Sequence, residues 1–323
     1  MKFTIAVPAY KALYLQECIG SILSQTYRDF ELIIVNDASP NDLTSIVKSF
    51  TDKRIRYYIN EKNCGSLNVV DNWNICLSYA KGDYIICMGD DDKMLPICLE
   101  KYVELIDKYP GLGVYHAWTQ IIDENSKIVS IQEARPEYEG VCCLMWERLE
   151  RQRQQFIGDF CFDINLLRKE SGFYKLPLAW GSDDISVFRA AMKNGIANTQ
   201  MPTFQYRVNV QTISKTGNVE IKMDALFKAS EWYRDFLCTF KPNNNGIENL
   251  FYEKIKNRFD LIMMHKKLDT IIKDLMINFT LTRFFFWYMK RKKYNYNIKL
   301  LIYAIIEALK SRVAGTVKNN IYL

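Results

Sequence analysis

The first 122 residues alternate short apolar runs with stretches of helical periodicity, and this alternation constrains the fold more than any other feature of the sequence. The runs FTIAV (3–7), ELIIV (31–35), IRYYIN (55–60) and DYIICM (83–88) have the residue types of strands that are buried on both faces. Helices between consecutive strands supply the right-handed crossovers that parallel pairing needs. We therefore predict an open α/β sheet whose strands are mainly parallel.

Three polar clusters lie where three of these strands end. Pro8–Tyr10, Asn36–Asp37 and Gly89–Asp92 follow the first, second and fourth runs. Ligands of open α/β sheets bind beyond the carboxyl ends of the strands, so the clusters indicate one binding site. The three adjacent aspartates of the last cluster repel one another, which points to a cation or to a ligand that brings one.

The pattern becomes less regular beyond residue 122. Segment 142–170 has mostly helical character, and segment 178–195 begins with a polar turn and continues as an amphipathic helix that ends at Gly195. Segment 204–214 alternates as a strand does. Beyond about residue 218 we predict helices, interrupted by a turn at 241–246.

Charge divides the chain into two regions. Residues 216–323 hold 19 Lys and Arg against 10 Asp and Glu, whereas residues 1–215 hold 24 against 27. An asymmetry of this kind is typical of an added segment with its own partner. We predict an α/β domain over 1–215 and a basic helical region over 216–323.

The cysteines and the apolar runs bear on location. None of the nine cysteines forms a CxxC pair, and several lie within apolar periodic stretches, which favours buried thiols in a reducing compartment. We find no signal-peptide pattern, and the longest apolar runs are too short to span a bilayer. These features predict a cytoplasmic protein.

The end of the chain combines positive charge with aromatic residues. Segment 275–323 contains nine Lys and Arg against one acid, Glu307, and its stretch TRFFFWYMKRKKYNYNIKLLIYAII interleaves rings and aliphatic chains with that charge. Such helices can lie on the inner face of an anionic membrane as a peripheral anchor. The alternative is that the aromatic residues pack onto the α/β domain or form a homodimer contact. We expect no nucleic-acid partner, because no binding motif is present.

Four stretches together resemble a known family. VPAY, YLQECIGSILSQTYRDFELIIVNDASPND, AKGDYIICMGDDDKMLP and WGSDDISVFRAAMKNG are similar to the family 2 glycosyltransferases, over roughly residues 2–215. The resemblance implies the GT-A fold, a Rossmann-like nucleotide-sugar-binding domain with a mixed, mainly parallel sheet. It also implies a metal-dependent, inverting transfer from a nucleotide-diphosphate sugar, with UDP favoured. The acceptor would be a glycan or lipid-linked glycan in cell-surface polysaccharide or glycoconjugate biosynthesis.

The resemblance also suggests where the donor and its metal bind. Asp91 is the expected ligand of Mg²⁺ or Mn²⁺, while Asp90 and Asp92 support it and Gly89 replaces the first aspartate of the family pattern. A divalent metal would neutralise the diphosphate leaving group. The residues expected to bind the nucleotide, by base stacking, by hydrogen bonds or at the diphosphate, are Pro8, Ala9, Tyr10, Asn36, Asp37, Asn63, Gly65, Asp90 and Arg207.

The GSDD motif supplies the expected general base. Ser182 stands at the family's Glu position and Asp183 at its Asp, which implies that Asp183 deprotonates the acceptor hydroxyl. A carboxylate base is also expected by elimination, because His116 and His265 are the chain's two histidines and neither lies in a motif. We interpret Asp184 as a charge that complements the helix dipole, and His116 as a strand residue.

Two other functions are compatible with parts of the pattern. A nucleotide-sugar-binding pseudoenzyme or membrane scaffold without turnover is suggested by Gly89, Ser182 and Asn209, which depart from the family's residues at these positions. A sugar-phosphate nucleotidyltransferase would need a glycine-rich phosphate loop after the first strand, and VPAYKALY has none. Consumption of donor with and without acceptor distinguishes turnover from binding alone.

Overall fold

The computed structural model describes residues 1–208, 218–242 and 246–313. Within them the chain divides into two compact units, the first made of 1–175 and 182–208 and the second of 176–181 together with the described residues from 218 onward. The boundary predicted at residue 215, and Asn209, lie outside the described residues.

The first unit contains a sheet of ten strands and seven α-helices among its described residues. The strands are β1 Phe3–Ala9, β2 Phe30–Asn36, β3 Ile55–Ile59, β4 Tyr84–Cys87, β5 Lys93–Met94, β6 Val114–Ile122, β7 Ile128–Ile131, β8 Tyr138–Glu139, β9 Phe160–Asp163 and β10 Ile196–Arg207. The helices are α1 Leu15–Leu23, α2 Leu43–Lys48, α3 Val69–Tyr79, α4 Cys98–Lys108, α5 Val141–Leu149, α6 Ile164–Lys169 and α7 Ser182–Ala191.

The sheet is mixed, with strand order β3-β2-β1-β4-β9-β6-β10-β5, while β7 pairs with β6 and β8 with β10. Strands β3, β2, β1 and β4 pair with one another in parallel, as the apolar runs predicted. Side chains of β1 and β2 are buried on both faces, whereas the edge strand β3 is only partly buried. Every residue of β2 is buried, and the successive residues Ile5, Ala6 and Val7 of β1 are fully so. The carboxyl ends of β1, β2 and β4 therefore open at one edge of the sheet.

Strand β9 corrects the helical prediction for segment 142–170. Helices do form at α5 and α6, but Phe160–Asp163 between them pairs antiparallel with both β4 and β6. Its Phe160, Cys161 and Phe162 are fully buried. Because a four-residue run that is buried on both faces has no distinguishing period, its sequence cannot be told from a buried helix segment.

Helix α2 begins later than its sequence suggests. The stretch SPND (39–42) predicts Ser39 as the cap, but the N-cap is Asp42, whose Oδ1 accepts a hydrogen bond of 3.0 Å from the Ser45 amide. The Ser39 hydroxyl instead donates to the carbonyl of Tyr10 at 2.6 Å. Ser39 therefore ties the end of β2 to the end of β1.

The second unit is helical where it is described, as predicted beyond residue 218. Its α-helices are α8 Val219–Thr239, α9 Gly246–Ile277, α10 Leu281–Lys290 and α11 Ile298–Val313. Trp287 of α10 is fully buried, and its indole N–H donates to Asp274 of α9 at 2.6 Å. No helix in the described part of the chain has both the length and the apolar character needed to cross a bilayer.

Candidate active site

The polar clusters at the ends of β1, β2 and β4 meet, as the sequence predicted. Asp90 Oδ2 accepts the backbone N–H groups of Tyr10 and Lys11, at 2.7 and 2.6 Å. Ser39, two residues beyond Asn36–Asp37, donates a hydrogen bond to the Tyr10 carbonyl and so joins the Asn36–Asp37 cluster to the other two. The arrangement follows from parallel pairing, which brings the three carboxyl ends to the same edge.

The Pro8–Tyr10 segment presents an aromatic face beside a buried acid. Ala9 is buried, while the Tyr10 side chain is 44% exposed and its ring is open to stack on a planar base. The Asp37 amide donates to the Ala9 carbonyl at 2.9 Å, so the acid lies next to this segment. Asp37 Oδ1 accepts from the Asn60 side chain at 2.8 Å and from the Cys64 amide at 2.9 Å. These hydrogen bonds fix the Asp37 carboxylate in place.

Asn36, Asn63 and Gly65 shape the loops around Asp37. The Asn36 amide donates to the Tyr57 hydroxyl and accepts from the Ser39 backbone, so both ends of this buried side chain are engaged within the protein. Asn63 donates to the Asp37 carbonyl at 2.7 Å and accepts from Gly65, whose φ of +77° suits glycine. Asn63 therefore supports the Asp37 backbone, and Asn36 holds the turn that follows β2.

The three consecutive aspartates lie in three different environments. Asp90 holds the Tyr10–Lys11 backbone, and Asp92, which is 3% exposed, accepts from the amides of Arg207 at 3.0 Å and Gly89 at 3.3 Å. Asp91 is less buried, and its carboxylate lies 3.4 Å from Lys11 Nζ. Asp91 is thus the aspartate placed to meet a ligand, while its neighbours build the turn.

Negative charge is crowded at this turn. Burial and the adjacent Asp91 carboxylate raise the pKa of Asp90 to about 6 and the pKa of Asp92 well above its usual range. Gly89 makes the crowding possible, because a Cβ there would lie 2.9 Å from Asp91 Oδ1 and 3.0 Å from Asp92 Oδ2. A bound cation would relieve the repulsion.

The residues present fit a divalent metal that arrives with its ligand. Among the described residues no group of three or more His, Cys, Asp or Glu side chains could hold a metal by itself. Mg²⁺ commonly needs only one or two carboxylates when phosphate oxygens and water complete its shell. Asp91, beside two buried carboxylates with raised pKa, would be the carboxylate of such a site.

Arg207 has a different position from the one expected of a diphosphate ligand. Its side chain is fully buried, and its guanidinium donates to the carbonyls of Asp91, Asp123 and Glu124 at 2.8–3.2 Å. Nη2 also pairs with the Glu17 carboxylate at 3.0 Å. The predicted direct contact with a diphosphate is therefore not supported, because these groups already take the donors. Arg207 instead fixes the backbone of the aspartate turn.

The GSDD motif opens α7 and distinguishes its two acids. Asp184 forms a two-pronged ion pair with Arg148, at 2.8 and 3.1 Å, and accepts from Gln155 at 2.6 Å. Asp183 is half-buried, and desolvation together with the neighbouring Asp184 charge raises the pKa of Asp183 to about 7. A carboxylate with a pKa near neutrality is suited to take a proton. Ser182, at the family's Glu position, is completely buried.

Tyr206 lies within electrostatic reach of both acidic motifs, and sequence analysis missed it. Its ring stacks on Phe156, with centroids 3.5 Å apart. Burial raises the pKa of Tyr206, and the charges of Asp92, Asp91 and Asp183 raise it further, which places its hydroxyl within electrostatic reach of both motifs. No local pattern marks this tyrosine, because its role depends on the pairing of β10.

Lys11 is the second residue that sequence analysis missed. It follows VPAY directly, and its ammonium group is the cation nearest to Asp91 in the ion pairs of the described residues. A flexible cation at this position can neutralise part of the charge of an anion that the aspartate turn would bind through a metal. Its place immediately after the VPAY motif was the available signal.

His116 behaves as the strand residue that we predicted. It lies fully buried in β6, with Nε2 3.6 Å from Asp159, and burial together with the nearby Arg135 lowers the pKa of His116 to about 4. Its nitrogens find no hydrogen-bond partner among the described residues. His265 is exposed on α9. Neither histidine competes with Asp183 for the role of base.

Sequence comparisons match this chain to sugar-transferring proteins. The model of glycosyl transferase family 2 matches residues 4–172. An uncharacterized glycosyltransferase of Methanocaldococcus jannaschii is 37% identical over 128 residues, which are 38% of this chain and 42% of the relative. A second, from Rickettsia typhi, is 31% identical over 125 residues, 38% of each chain. The chain thus spans about two fifths of the length of these relatives.

Structural comparison extends over nearly the whole chain. TarS of S. aureus (residues 1–349, in complex with UDP-GlcNAc) has a TM-score of 0.63 at 15% identity, covering 98% of this chain and 93% of TarS. The complex of the same TarS fragment with UDP gives a TM-score of 0.59. At this identity the similarity establishes the fold, and it confirms the predicted GT-A type with its C-terminal helices.

Proposed function

Because this chain belongs to glycosyl transferase family 2, we propose that it transfers a sugar from a nucleotide-diphosphate sugar to a hydroxyl of an acceptor. One observation carries the proposal: Asp90 binds the backbone of the Tyr10–Lys11 segment, so a stacking ring and an acidic turn stand side by side. Such a pairing suits a ligand with a planar base at one end and a diphosphate at the other.

UDP is the nucleotide we favour. In the family the aspartate that matches Asp37 accepts a hydrogen bond from uracil, and here Asp37 is held rigidly beside Ala9 by Asn60 and the Cys64 amide. The solved TarS complexes contain UDP-GlcNAc and UDP. Tyr10 would stack on the base, with Pro8 and Ala9 lining the same pocket.

The diphosphate would lie over the aspartate turn. Asp91 would hold a Mg²⁺ or Mn²⁺ ion together with phosphate oxygens, and this ion would supply positive charge to the departing nucleotide diphosphate. Lys11, at 3.4 Å from Asp91, adds a cation from the protein itself. Arg207 keeps the turn in position through the Asp91 carbonyl.

Asp183 would act as the general base of an inverting displacement. The acceptor hydroxyl gives its proton to the Asp183 carboxylate while its oxygen bonds to the anomeric carbon, and the bond from that carbon to the diphosphate oxygen breaks with its electron pair. One base is sufficient, whereas glycoside hydrolases need two carboxylates around the bond. The ion pair with Arg148 occupies Asp184 and so keeps it from acting as the base. The Asp184 charge remains next to Asp183 and raises the pKa of Asp183. The acceptor we propose is a glycan or lipid-linked glycan of the cell surface.

Thermal denaturation with nucleotides tests donor binding. We expect UDP with Mn²⁺ to raise the melting temperature, because a ligand at one hundred times its Kd stabilises the folded state by about 2.7 kcal/mol. GDP and ADP should raise it less, and Tyr10→Ala should weaken the effect of UDP. Equal shifts with every nucleotide would contradict the assignment of the base pocket. Donor consumption that requires an acceptor then separates an enzyme from a protein that only binds.

The pH dependence of kcat/KM tests the base. A base works in its deprotonated form, so the raised pKa of Asp183 predicts that kcat/KM is highest above pH 7 and falls about tenfold per unit below it. Asp90, with a pKa of about 6, and Asp92, whose pKa is raised well above its usual range, are other acids that could titrate in this range. The Asp183→Asn variant distinguishes these acids, since the fall of kcat/KM near pH 7 should be absent from its residual activity. If that fall persisted, a group other than Asp183 would be responsible for it.

A further inference from the structure

Two helices of the second unit expose apolar side chains on the face that points away from their packing partners. Phe285 of α10 is 64% exposed, and Ile302 of α11 is 50% exposed. The members of this outward apolar face, each 42–84% exposed, are Leu281, Phe285, Met289, Ile298, Ile302, Tyr303, Ile306 and Leu309. They recur every three or four residues, which places them on one side of each helix.

The opposite sides of both helices are already packed. Trp287 of α10 is fully buried, and Leu300, Leu301, Ala304 and Ala308 form the buried stripe of α11. Each helix is therefore apolar on two sides, one of which no described residue covers. A large exposed apolar surface of this kind marks an interaction site in a natural protein.

The segment that carries the outward apolar face has an excess of positive charge. Residues 281–313 carry eight Lys and Arg and one acid. Four of these cations are neutralised in ion pairs: Arg283 with Asp274, Lys290 with Glu220, Lys293 with Asp224 and Lys310 with Glu307. The other four, none of which forms an ion pair with an acid among the described residues, are Arg291, Lys292, Lys299 and Arg312.

Lys299 and Lys310 border the stripe that Ile298, Ile302, Ile306 and Leu309 form along α11. On a helical projection both follow Ile306 on the same flank, with Tyr303 beyond them, and both are exposed. Lys310 is paired with Glu307, so Lys299 is the surplus cation of the two. An apolar stripe with lysines along its edge matches a lipid interface, where the aliphatic chains enter the acyl region and the ammonium groups remain among the headgroups. A protein partner would need both an apolar patch and acids in register with these lysines.

We propose that the outward apolar face of α10 and α11 binds the surface of an anionic lipid bilayer. Apolar burial provides the attachment, and the four surplus cations provide the preference for negative headgroups. The face would bring the protein to the plane in which a lipid-linked acceptor lies. The inference does not depend on sugar transfer, because membrane binding is measured without any donor.

Co-sedimentation with vesicles tests the proposal on the full chain. We expect binding to vesicles made of equal parts phosphatidylglycerol and phosphatidylcholine, weaker binding to pure phosphatidylcholine, and a decrease with salt. Ile302→Glu/Ile306→Glu should lower the partition coefficient at least about tenfold, because two carboxylates replace apolar contacts at the lipid interface. Lys292→Gln/Lys299→Gln should remove about half of the free-energy preference for the anionic vesicles, because it removes two of the four surplus cations.

Leu250→Glu/Leu261→Glu is the matched control. Both leucines are exposed on α9, and the double substitution changes the net charge by the same amount. This variant should bind vesicles within about twofold of the native chain, and unchanged melting temperatures would show that all variants fold. Equal binding by the Ile302/Ile306 variant and the native chain would overturn the proposal. The proposal would also be overturned if the native chain formed a dimer that does not bind vesicles, and if this dimer dissociated in the Ile302/Ile306 variant. The apolar face would then bind a second copy of the chain.

Discussion

Replacement of Asp183 by Asn is expected to lower kcat by about 10²–10⁴-fold, the usual contribution of a general base. The substitution preserves the shape of the side chain but removes the proton acceptor. Donor binding should change little, because the base acts on the acceptor, and the shift in melting temperature caused by UDP should therefore be retained. Single-turnover measurement of donor consumption with acceptor present gives the loss directly.

Asp184→Asn provides the adjacent control and adds a second readout. Loss of the ion pair with Arg148 should lower thermal stability, but kcat should fall by much less than in Asp183→Asn. The Asp184 charge raises the pKa of Asp183, and Arg148 lowers it. Removing the Asp184 charge leaves Arg148 uncompensated, so the acid limb of the pH profile should move to lower pH. A larger loss of kcat in Asp184→Asn than in Asp183→Asn would reverse the assignment of the base.

Replacement of Asp91 by Asn should cost about 10²-fold or more in turnover and weaken the binding of UDP in the presence of Mn²⁺. Asn retains the volume of the side chain but not the charge that holds a divalent ion. The fold should survive, because the backbone hydrogen bonds of the turn are accepted by Asp90, Asp92 and the Asp91 carbonyl. EDTA should abolish the activity of the native protein, and Mn²⁺ or Mg²⁺ should restore it.

A distant acid gives the comparison for Asp91. Asp107 is exposed on α4, and Asp107→Asn makes the same change in charge without touching the turn, so its activity should match the native protein. Full activity after chelation would contradict the metal role of Asp91. The diphosphate would then be neutralised by Lys11, since the guanidinium of Arg207 is already bound to Glu17 and to three backbone carbonyls.

The three aspartates of the turn have different roles, and the sequence motif alone predicted these roles only in part. GDDD indicated a site, and the family resemblance singled out Asp91. Sequence alone could not show that Asp90 accepts the Tyr10 and Lys11 amides, or that Asp92 accepts the Arg207 amide 115 residues away. The different environments of three identical side chains depend on these long-range partners.

The sequence by itself determined the parallel strands β1 to β4, the polar clusters at their ends and the helical C-terminal region. It could do so because burial on both faces requires continuous apolar runs, and because parallel strands end at a common edge. The tertiary structure alone decided the insertion of β9 between β4 and β6, the support that Arg207 gives to the aspartate turn, and the capture of Asp184 by Arg148. Those features depend on contacts between segments far apart in the chain, for which local periodicity and residue type carry no signal.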